Sequence, residues 1–106
     1  MPGPTVHVDP APKCKLTEGK HHAPKKDDGG FVIFDATAKC TINFNNDLVF
    51  GILTKGLKKG PNQVPVSANP PKGQEVTTRV SIQDCPTQAV GAMQAVRTGP
   101  TDIIVP

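Results

Sequence analysis

Apolar and polar residues alternate clearly in two stretches of the chain. In residues 39–44, Cys40, Ile42 and Phe44 alternate with polar side chains. A period of two is typical of a β-strand with one buried face, so this stretch predicts a strand in the middle of the core. Residues 75–83 alternate in the same way and predict a second strand. Its inward residues are Val76, Thr78, Val80 and Ile82.

The first of these strands is followed by the polar residues 45–47, Asn-Asn-Asp. Asn and Asp tolerate the left-handed backbone conformations that tight turns require. If these residues form the loop of a hairpin, the apolar residues on its two sides face one another on one surface. The predicted cross-strand pairs are Phe44 with Leu48, Ile42 with Phe50, and Cys40 with Ile52.

Several shorter segments also predict strands. Alternation over residues 13–17 places Cys14 and Leu16 inward, and the chain closes on a β-branched run that suits a final strand. Prolines that follow the first apolar segment limit it to a sheet edge. The predicted strands are a short edge strand at residues 5–8, a strand buried on both faces at 31–34, a short strand at 64–67 and a closing strand at 101–105.

Glycine and proline break the chain into short pieces. The 106 residues include 10 Gly and 12 Pro, spread along the chain, which leaves little room for long helices. Residues 18–30 and 54–62 are expected to be loops because of their composition. Short strands separated by turns, without alternating helices, predict an all-β fold: a small antiparallel Greek-key β-sandwich.

Residues 86–97 allow two interpretations. One is a helix that begins at Pro86 and carries apolar residues on one face. The other is a hairpin that pairs residues 92–96 (AMQAV) with residues 101–105 (TDIIV). We favour the hairpin, because Gly91 weakens the helix.

The length of the chain fits a single domain, residues 1–106, in which residues 1–12 form an extended N-terminal segment. No apolar run approaches the roughly 20 residues that span a bilayer, so we expect no membrane segment. The chain also lacks a basic-then-apolar leader. We interpret its MPGP start as the sequence that follows a removed leader, which favours a periplasmic or secreted protein.

The order of these segments resembles that of a cupredoxin-like β-sandwich, with an Ig-like sandwich as the alternative. The likeness covers the early strand, residues 29–51 (GGFVIFDATAKCTINFNNDLVFG), residues 75–85 (EVTTRVSIQDC) and the closing TDIIVP. Cupredoxins that carry blue copper bind it with an early His and a late Cys, His and Met. Cys85 and Met93 match the late Cys and Met, but no His follows His22. The resemblance therefore implies a sandwich without electron-transfer copper, used as a binding or structural module.

A possible metal-ligand set lies near the N-terminus. Cys14, Glu18, His21 and His22 supply a thiol, a carboxylate and two imidazoles within nine residues. Adjacent residues point to opposite faces of a strand, so the two imidazoles share an ion only at a sharp turn, and the spacing lacks the usual zinc signatures. We therefore expect no cofactor and interpret this segment as a solvated loop. The alternative is a periplasmic copper or zinc carrier with the ligands His7, Cys14, His21 and His22.

The three cysteines leave one without an intramolecular disulfide partner. Cys40 lies inward on a central strand and Cys85 follows the other clear strand, so the predicted disulfide is Cys40–Cys85. It would stabilise the fold by about 4 kcal/mol in the chain-entropy model. Cys14 is then free, or pairs instead of either. Three buried, reduced thiols are the alternative.

A net charge of +3 gives the chain a weak attraction for polyanions. Lys55, Lys58 and Lys59 form the most compact basic cluster outside the N-terminal third. Nucleic-acid binders usually add stacking aromatic residues to such a cluster, and none interleaves these lysines. We therefore interpret the cluster as a solvated loop and do not expect nucleic-acid binding. A weak polyanion-binding module is the second alternative function.

The sequence contains no nucleophile elbow, phosphate-binding glycine loop or HExxH motif, so we do not expect an enzyme. We predict a non-enzymatic binding or structural module that is exported. Its contacts would use the exposed loops 21–30 and 54–62, because a rigid sheet presents loops for binding. We expect the module to bind an unknown protein partner or to self-associate through its edge strands.

Overall fold

The computed structural model of the chain describes residues 3–85 and 100–106. In this part of the chain we find nine strands and one 3-10 turn, Lys26–Asp28. No helix among these residues is long and apolar enough to cross a membrane. The strands are β1 (Thr5–Asp9), β2 (Lys15–Leu16), β3 (Gly19–His22), β4 (Phe31–Ala36), β5 (Cys40–Phe44), β6 (Thr54–Leu57), β7 (Gly60–Pro65), β8 (Val76–Ile82) and β9 (Thr101–Val105).

The strands form two sheets, which confirms the all-β sandwich. Sheet A has the order β2-β1-β4-β7, and sheet B has the order β3-β9-β8-β5-β6. Most neighbours are antiparallel, as predicted, but β1 runs parallel to β4 and β3 runs parallel to β9. Parallel neighbours need a long connection. Here the connections are long because other strands come between the two members of each parallel pair in the chain: β2 and β3 between β1 and β4, and β4 to β8 between β3 and β9.

The core lies between the two sheets and is built on three phenylalanines. Phe34 of sheet A and Phe44 of sheet B have ring centroids 6.1 Å apart, and Phe50 lies 4.7 Å from Phe44 and 6.0 Å from Phe34. Aliphatic side chains from both sheets surround these rings. The fully buried ones include Val6, Val8, Val32, Ile42, Val49, Ile103 and Val105.

The second strand with clear alternation, residues 75–83, is confirmed as β8. In β8 the inward residues Thr78, Val80 and Ile82 are buried, and Val76 packs against the core. The closing strand is confirmed as β9, whose five residues are all buried. Residues 86–99, where we weighed a helix against a hairpin, lie outside the described residues.

Strand β4 was expected to be buried on both faces, and this prediction was wrong. Val32, Phe34 and Ala36 are buried, whereas Phe31 and Ile33 are partly exposed. The reason is that sheet A has only one covered face, toward sheet B. The other face of β4 tolerates apolar side chains without burying them completely.

The predicted hairpin around residues 45–47 was also wrong. Strand β5 pairs with β6, so that Cys40 lies opposite Leu57, and residues 45–53 form a loop between the two strands. Val49 and Phe50 are consecutive and both buried, which a regular strand with one buried face cannot achieve. The chain turns here instead.

Two segments that were expected to be loops contain strands. Residues 18–30 include β3, and residues 54–62 include β6 and the start of β7. Both β3 and β6 are edge strands of sheet B. An edge strand can be held by backbone hydrogen bonds to a single neighbour and needs few apolar side chains, so composition gave no signal of it.

The early strand was expected at a sheet edge, but β1 lies between β2 and β4. Its side chains Val6 and Val8 are fully buried. The prolines that follow do not prevent this position, because they come after the last residue of β1. The segment 1–12 therefore contributes a strand to the core of sheet A.

The disulfide joins Cys14 to Cys85, and the predicted pairing of Cys40 with Cys85 was wrong. Strand β8 ends in a turn in which the Cys85 N–H donates to the Ile82 carbonyl and Asp84 adopts a positive φ of 71°. This turn takes Cys85 out of sheet B and brings its Cα to 5.7 Å from that of Cys14, beside sheet A. Cys40 stays within β5, as the free cysteine.

We predict that removing the disulfide destabilises the fold more than removing the free thiol does. The bond closes a loop with a sequence separation of 71 residues. The double variant Cys14→Ser, Cys85→Ser should lower the free energy of unfolding by about 2–4 kcal/mol, because the unfolded chain regains conformational entropy. Denaturant unfolding measures this change.

The matched control is Cys40→Ser, which should cost about 1 kcal/mol or less. In the wild-type protein, thiol counting under denaturing, non-reducing conditions should find a single thiol. Three thiols, or equal destabilisation by the two variants, would contradict the assignment.

Candidate functional site

The structure does not bring the four residues of the alternative metal-carrier hypothesis into one ligand set. His7 is exposed on β1, with its Nδ1 3.7 Å from Oδ2 of Asp35. His21 on β3 directs Nε2 to the carbonyl oxygen of Thr17, at 3.1 Å. His22 is exposed and follows His21 in an extended strand, so the two rings point to opposite faces.

Cys14 was wrong as a metal ligand, because its sulfur is bonded to Cys85 and cannot be a thiolate. Among residues 3–85 and 100–106, no group of three or more His, Cys, Asp and Glu side chains is arranged to hold a metal ion. The backbone of Thr17, which hydrogen-bonds to His7, His21 and Thr101, occupies the space between the strands instead.

The lysines of the predicted polyanion site divide between two surfaces. Lys55 lies on β6 opposite Ile42, on the inward side of the strand, and is partly buried. Lys58 and Lys59 follow β6 and are exposed in the turn that leads to β7. Residues 54–57 form a strand, and side chains alternate between its two faces. Lys55 therefore lies on the same face as the buried Leu57, whereas Lys58 and Lys59 come after the strand has ended.

The first predicted contact loop, residues 21–30, is held at its base by the loop after β7. The Lys26 N–H donates to the Ala68 carbonyl, and the Asp27 N–H donates to Oδ1 of Asn69. Its exposed side chains are charges of both signs, from Lys26 to Asp28. When the partly buried Lys25 is counted, the two lysines of this segment balance its two aspartates.

A different loop has the most distinctive surface of the described residues. The loop formed by residues 45–53, here called the apolar loop, exposes Leu48, Ile52 and Leu53 by 55%, 37% and 54%. These three are the exposed large hydrophobic residues in the part of the chain that the structure describes. Single exposed hydrophobic residues are common, but a group of them within one loop marks a contact surface more often than chance.

Asparagine side chains hold the first half of the apolar loop against β8. Oδ1 of Asn45 accepts hydrogen bonds from the Arg79 N–H at 2.9 Å and from the Thr78 hydroxyl at 3.2 Å. Nδ2 of Asn46 donates to the Thr77 carbonyl at 3.0 Å. The asparagines predicted to form a tight turn therefore act as anchors to the neighbouring strand.

Buried side chains hold the second half of the apolar loop. Val49 and Phe50 enter the core, and the Ser67 N–H donates to the Val49 carbonyl at 2.8 Å. Gly51 has a positive φ of 73°, and a Cβ at this position would lie 3.0 Å from Oγ of Ser67. The loop therefore projects its exposed leucines and isoleucine from a fixed base.

An ion pair stiffens the part of β8 to which the asparagines bind. Arg79 Nε donates to Oδ1 of Asp102 on β9 at 2.9 Å. The hydrogen bond to Asp102, and then the attraction between the two charges, raises the pKa of Arg79 above its usual range. Arg79 thus bonds to β9 through its side chain and to the apolar loop through its backbone, and so links the two.

The sequence carried a signal of the apolar loop that we assigned to a strand. Residues 48–53, LVFGIL, are apolar in both the odd and the even positions. A strand in a sheet with one covered face can bury only alternate residues. The run therefore indicates that some of these side chains must remain at the surface.

We predict that Asn45→Ala loosens the apolar loop. The substitution removes the acceptor for the Arg79 N–H and the Thr78 hydroxyl, and should lower the free energy of unfolding by about 1–2 kcal/mol. Amide hydrogen exchange at Leu48 and Gly51 should become faster. Asn69→Ala, which removes one bond to Asp27 in another loop, is the control and should leave these amides unchanged. Unchanged exchange in Asn45→Ala would contradict the anchoring role.

Comparisons of the chain with protein-family models, with curated proteins and with solved structures found no match.

Proposed function

We propose that the protein is a non-enzymatic, exported binding module that contacts another protein through the apolar loop. The single observation that carries this proposal is the exposure of Leu48, Ile52 and Leu53 on a loop with a fixed base. Fully burying an exposed Leu or Ile is worth about 1.5–3 kcal/mol, and these side chains, which are 37–55% exposed, retain about half of that for a partner. Three of them supply a small hydrophobic centre for an interface.

The fixed base supports a binding role because it lowers the entropy cost of association. A loop that is mobile before binding must be ordered when it binds, which weakens the complex. Here Val49 and Phe50 are already buried, and Asn45 and Asn46 already bond to β8. The partner would order only the side chains that it covers.

The edges of the sheets favour a loop contact over self-association by strand pairing. Strand β2 has only two residues, and β7 carries Pro61 and Pro65. On β6, Lys55 points inward and would leave its charge beside the core of any extended sheet. Short strands, prolines and inward-pointing charges are the means by which proteins prevent pairing between edge strands.

The disulfide supports export. Disulfides persist in the periplasm and outside the cell, whereas cytosolic thiols are kept reduced. Cys14–Cys85 connects the two sheets of a domain whose core is small. A periplasmic or secreted location is therefore the compartment that suits this chain.

The states of the cysteines support a non-enzymatic role. Cys14 and Cys85 are bonded to each other, and burial raises the pKa of the Cys40 thiol. A nucleophilic cysteine needs the opposite shift, toward the thiolate. Cys40 is better suited to packing than to catalysis.

The test is site-specific photo-crosslinking in the cells that produce the protein. A photoreactive phenylalanine analogue at position 48 should yield a discrete adduct with one other protein. The same analogue at Gln63, which is exposed on β7, is the control and should yield none. The additional substitutions Ile52→Ser and Leu53→Ser should abolish the adduct at position 48.

These two substitutions should each lower the free energy of unfolding by about 1 kcal/mol, because Leu53 is 54% and Ile52 37% exposed, and circular dichroism should show that the fold is kept. Loss of the adduct is then a loss of contact rather than of folding. The absence of an adduct at position 48, or the same adducts at positions 48 and 63, would overturn the proposal.

A further inference from the structure

Four connecting segments meet at the end of the sandwich opposite the apolar loop. They are residues 10–14 between β1 and β2, residues 37–39 between β4 and β5, residues 58–59 between β6 and β7, and residues 83–85 after β8. We call this surface the disulfide end, because the Cys14–Cys85 bond joins the first of these segments to the last.

Backbone contacts hold the four segments of the disulfide end together. The Gln83 N–H donates to the Thr41 carbonyl at 2.9 Å, next to the start of β5. The Thr37 N–H donates to the Val8 carbonyl at 3.0 Å, next to the end of β1. The ladder pair of Cys40 with Leu57 brings the segments 37–39 and 58–59 to the same end of sheet B.

The charges at the disulfide end are mostly positive. The four segments contain four lysines, all exposed, and one acidic residue, Asp84. Neither of the two ion pairs among the described residues, His7–Asp35 and Arg79–Asp102, includes any of these lysines. The lysines are Lys13, Lys39, Lys58 and Lys59.

Two of these lysines flank the end of the β5–β6 ladder. Lys39 precedes Cys40 and Lys58 follows Leu57, and Cys40 and Leu57 are the last pair of that ladder. The two lysines therefore lie at the same end of sheet B. Like charges at one end of a sheet repel each other, and a bound anion would lessen this repulsion.

The turn between β6 and β7, which carries Lys58 and Lys59, has a fixed backbone. Oδ1 of Asn62 accepts from the Lys58 N–H at 3.0 Å, and its Nδ2 donates toward the carbonyl oxygens of Lys58 and Gly60, both at 2.9 Å. Nδ2 also lies 3.1 Å from the Phe34 carbonyl oxygen, which ties the turn to sheet A. The turn is therefore organised before any ligand binds.

We infer that the disulfide end is a binding site for an anionic polysaccharide with sulfate or carboxylate groups. The lysines come from separate segments, so they are spread over a surface, which suits a linear chain of repeated charges better than one small anion. Lysine presents a compact point charge that needs no particular ligand geometry. This site uses a different surface from the proposed protein contact.

Nucleic acid fits this surface less well than a polysaccharide. Single strands are held by stacking on aromatic side chains. The rings of Phe34, Phe44 and Phe50 are buried, and the partly exposed Phe31 begins β4 at the end opposite to this surface. Arginine is the preferred partner of phosphate, and the one arginine that the structure describes, Arg79, is bonded to Asp102. A disulfide-bonded protein also works where polysaccharides are abundant and nucleic acids are scarce.

The test is the binding of heparin, as a sulfated probe, to the purified full chain at several salt concentrations. The triple variant Lys39→Gln, Lys58→Gln, Lys59→Gln should weaken binding about tenfold or more at low salt. Its affinity should also depend less steeply on salt, because fewer counterions are displaced. Isothermal titration calorimetry provides the affinities.

The matched control is Lys20→Gln, Lys26→Gln, Lys72→Gln, which removes the same number of exposed lysines away from the disulfide end. Its affinity for heparin should stay within about twofold of the wild-type value, because salt screens the attraction between heparin and lysines far from the site. Circular dichroism should show that both variants keep the fold. If the two variants lose the same affinity for heparin, the loss comes from the lower net charge of the protein and not from a local site. That result would overturn the proposed site.

Two further binding measurements, with neutral dextran and with duplex DNA, decide the class of ligand. Neutral dextran should not bind, and duplex DNA at the same concentration of charge should bind at least about tenfold more weakly than heparin. DNA that binds as tightly as heparin would overturn the assignment to a polysaccharide. No binding of heparin by the wild-type chain at low salt would overturn the site itself.

Discussion

The contact among Phe34, Phe44 and Phe50 is the interaction on which the rest of the fold depends. Phe34 belongs to sheet A, Phe44 to sheet B and Phe50 to the apolar loop, so a single cluster of rings joins all three parts. The chain has no other large aromatic side chains beyond Phe31, since Trp and Tyr are absent. Because aromatic side chains bury more area than any aliphatic one, this cluster dominates a small core. It also explains why the loop between β5 and β6 folds inward at Phe50 instead of continuing as a strand.

The two ends of the sandwich have opposite characters, and the strand order produces this difference. Strand β5 begins at the disulfide end with Cys40 and leads into the apolar loop after Phe44. The connections at the disulfide end are short and can be made of lysine, proline and polar residues, because the covalent bond between Cys14 and Cys85 holds them together. At the other end no disulfide is present among the described residues, and burial of Val49 and Phe50 performs the same task. The exposed large hydrophobic side chains therefore lie at one end, and Lys13, Lys39, Lys58 and Lys59 lie at the other.

The sequence predicted the parts of the fold that depend on burial of one face. Strands β5, β8 and β9 and the all-β class follow from alternation and from the β-branched residues, and all were confirmed. Strands β3 and β6 were missed, because an edge strand needs only backbone pairing with one neighbour. The disulfide was assigned wrongly for a related reason. Alternation showed that Cys40 faces inward, but the turn at Asp84 that directs Cys85 across to the other sheet leaves no periodic signal. Both candidate binding surfaces depend on such non-periodic features. The sequence singled out Lys58 and Lys59 of the disulfide end but not the other two lysines, and it assigned the apolar run 48–53 to a strand.

The exposure of Leu48, Ile52 and Leu53 is unexpected in a chain with so few apolar residues. Only 36% of the residues are hydrophobic, and burial of a leucine or isoleucine stabilises a fold by about 1.5–3 kcal/mol. Selection for stability alone would place these side chains inside or replace them with polar ones. Neither has happened, although Val49 and Phe50 between them are buried and the asparagines hold the loop in place. The inward residues fix the position of the loop, and the outward residues leave 37–55% of their surface uncovered in the single chain. Their free energy of burial remains available for an association, which is why the loop is better explained as a contact surface than as a defect of packing.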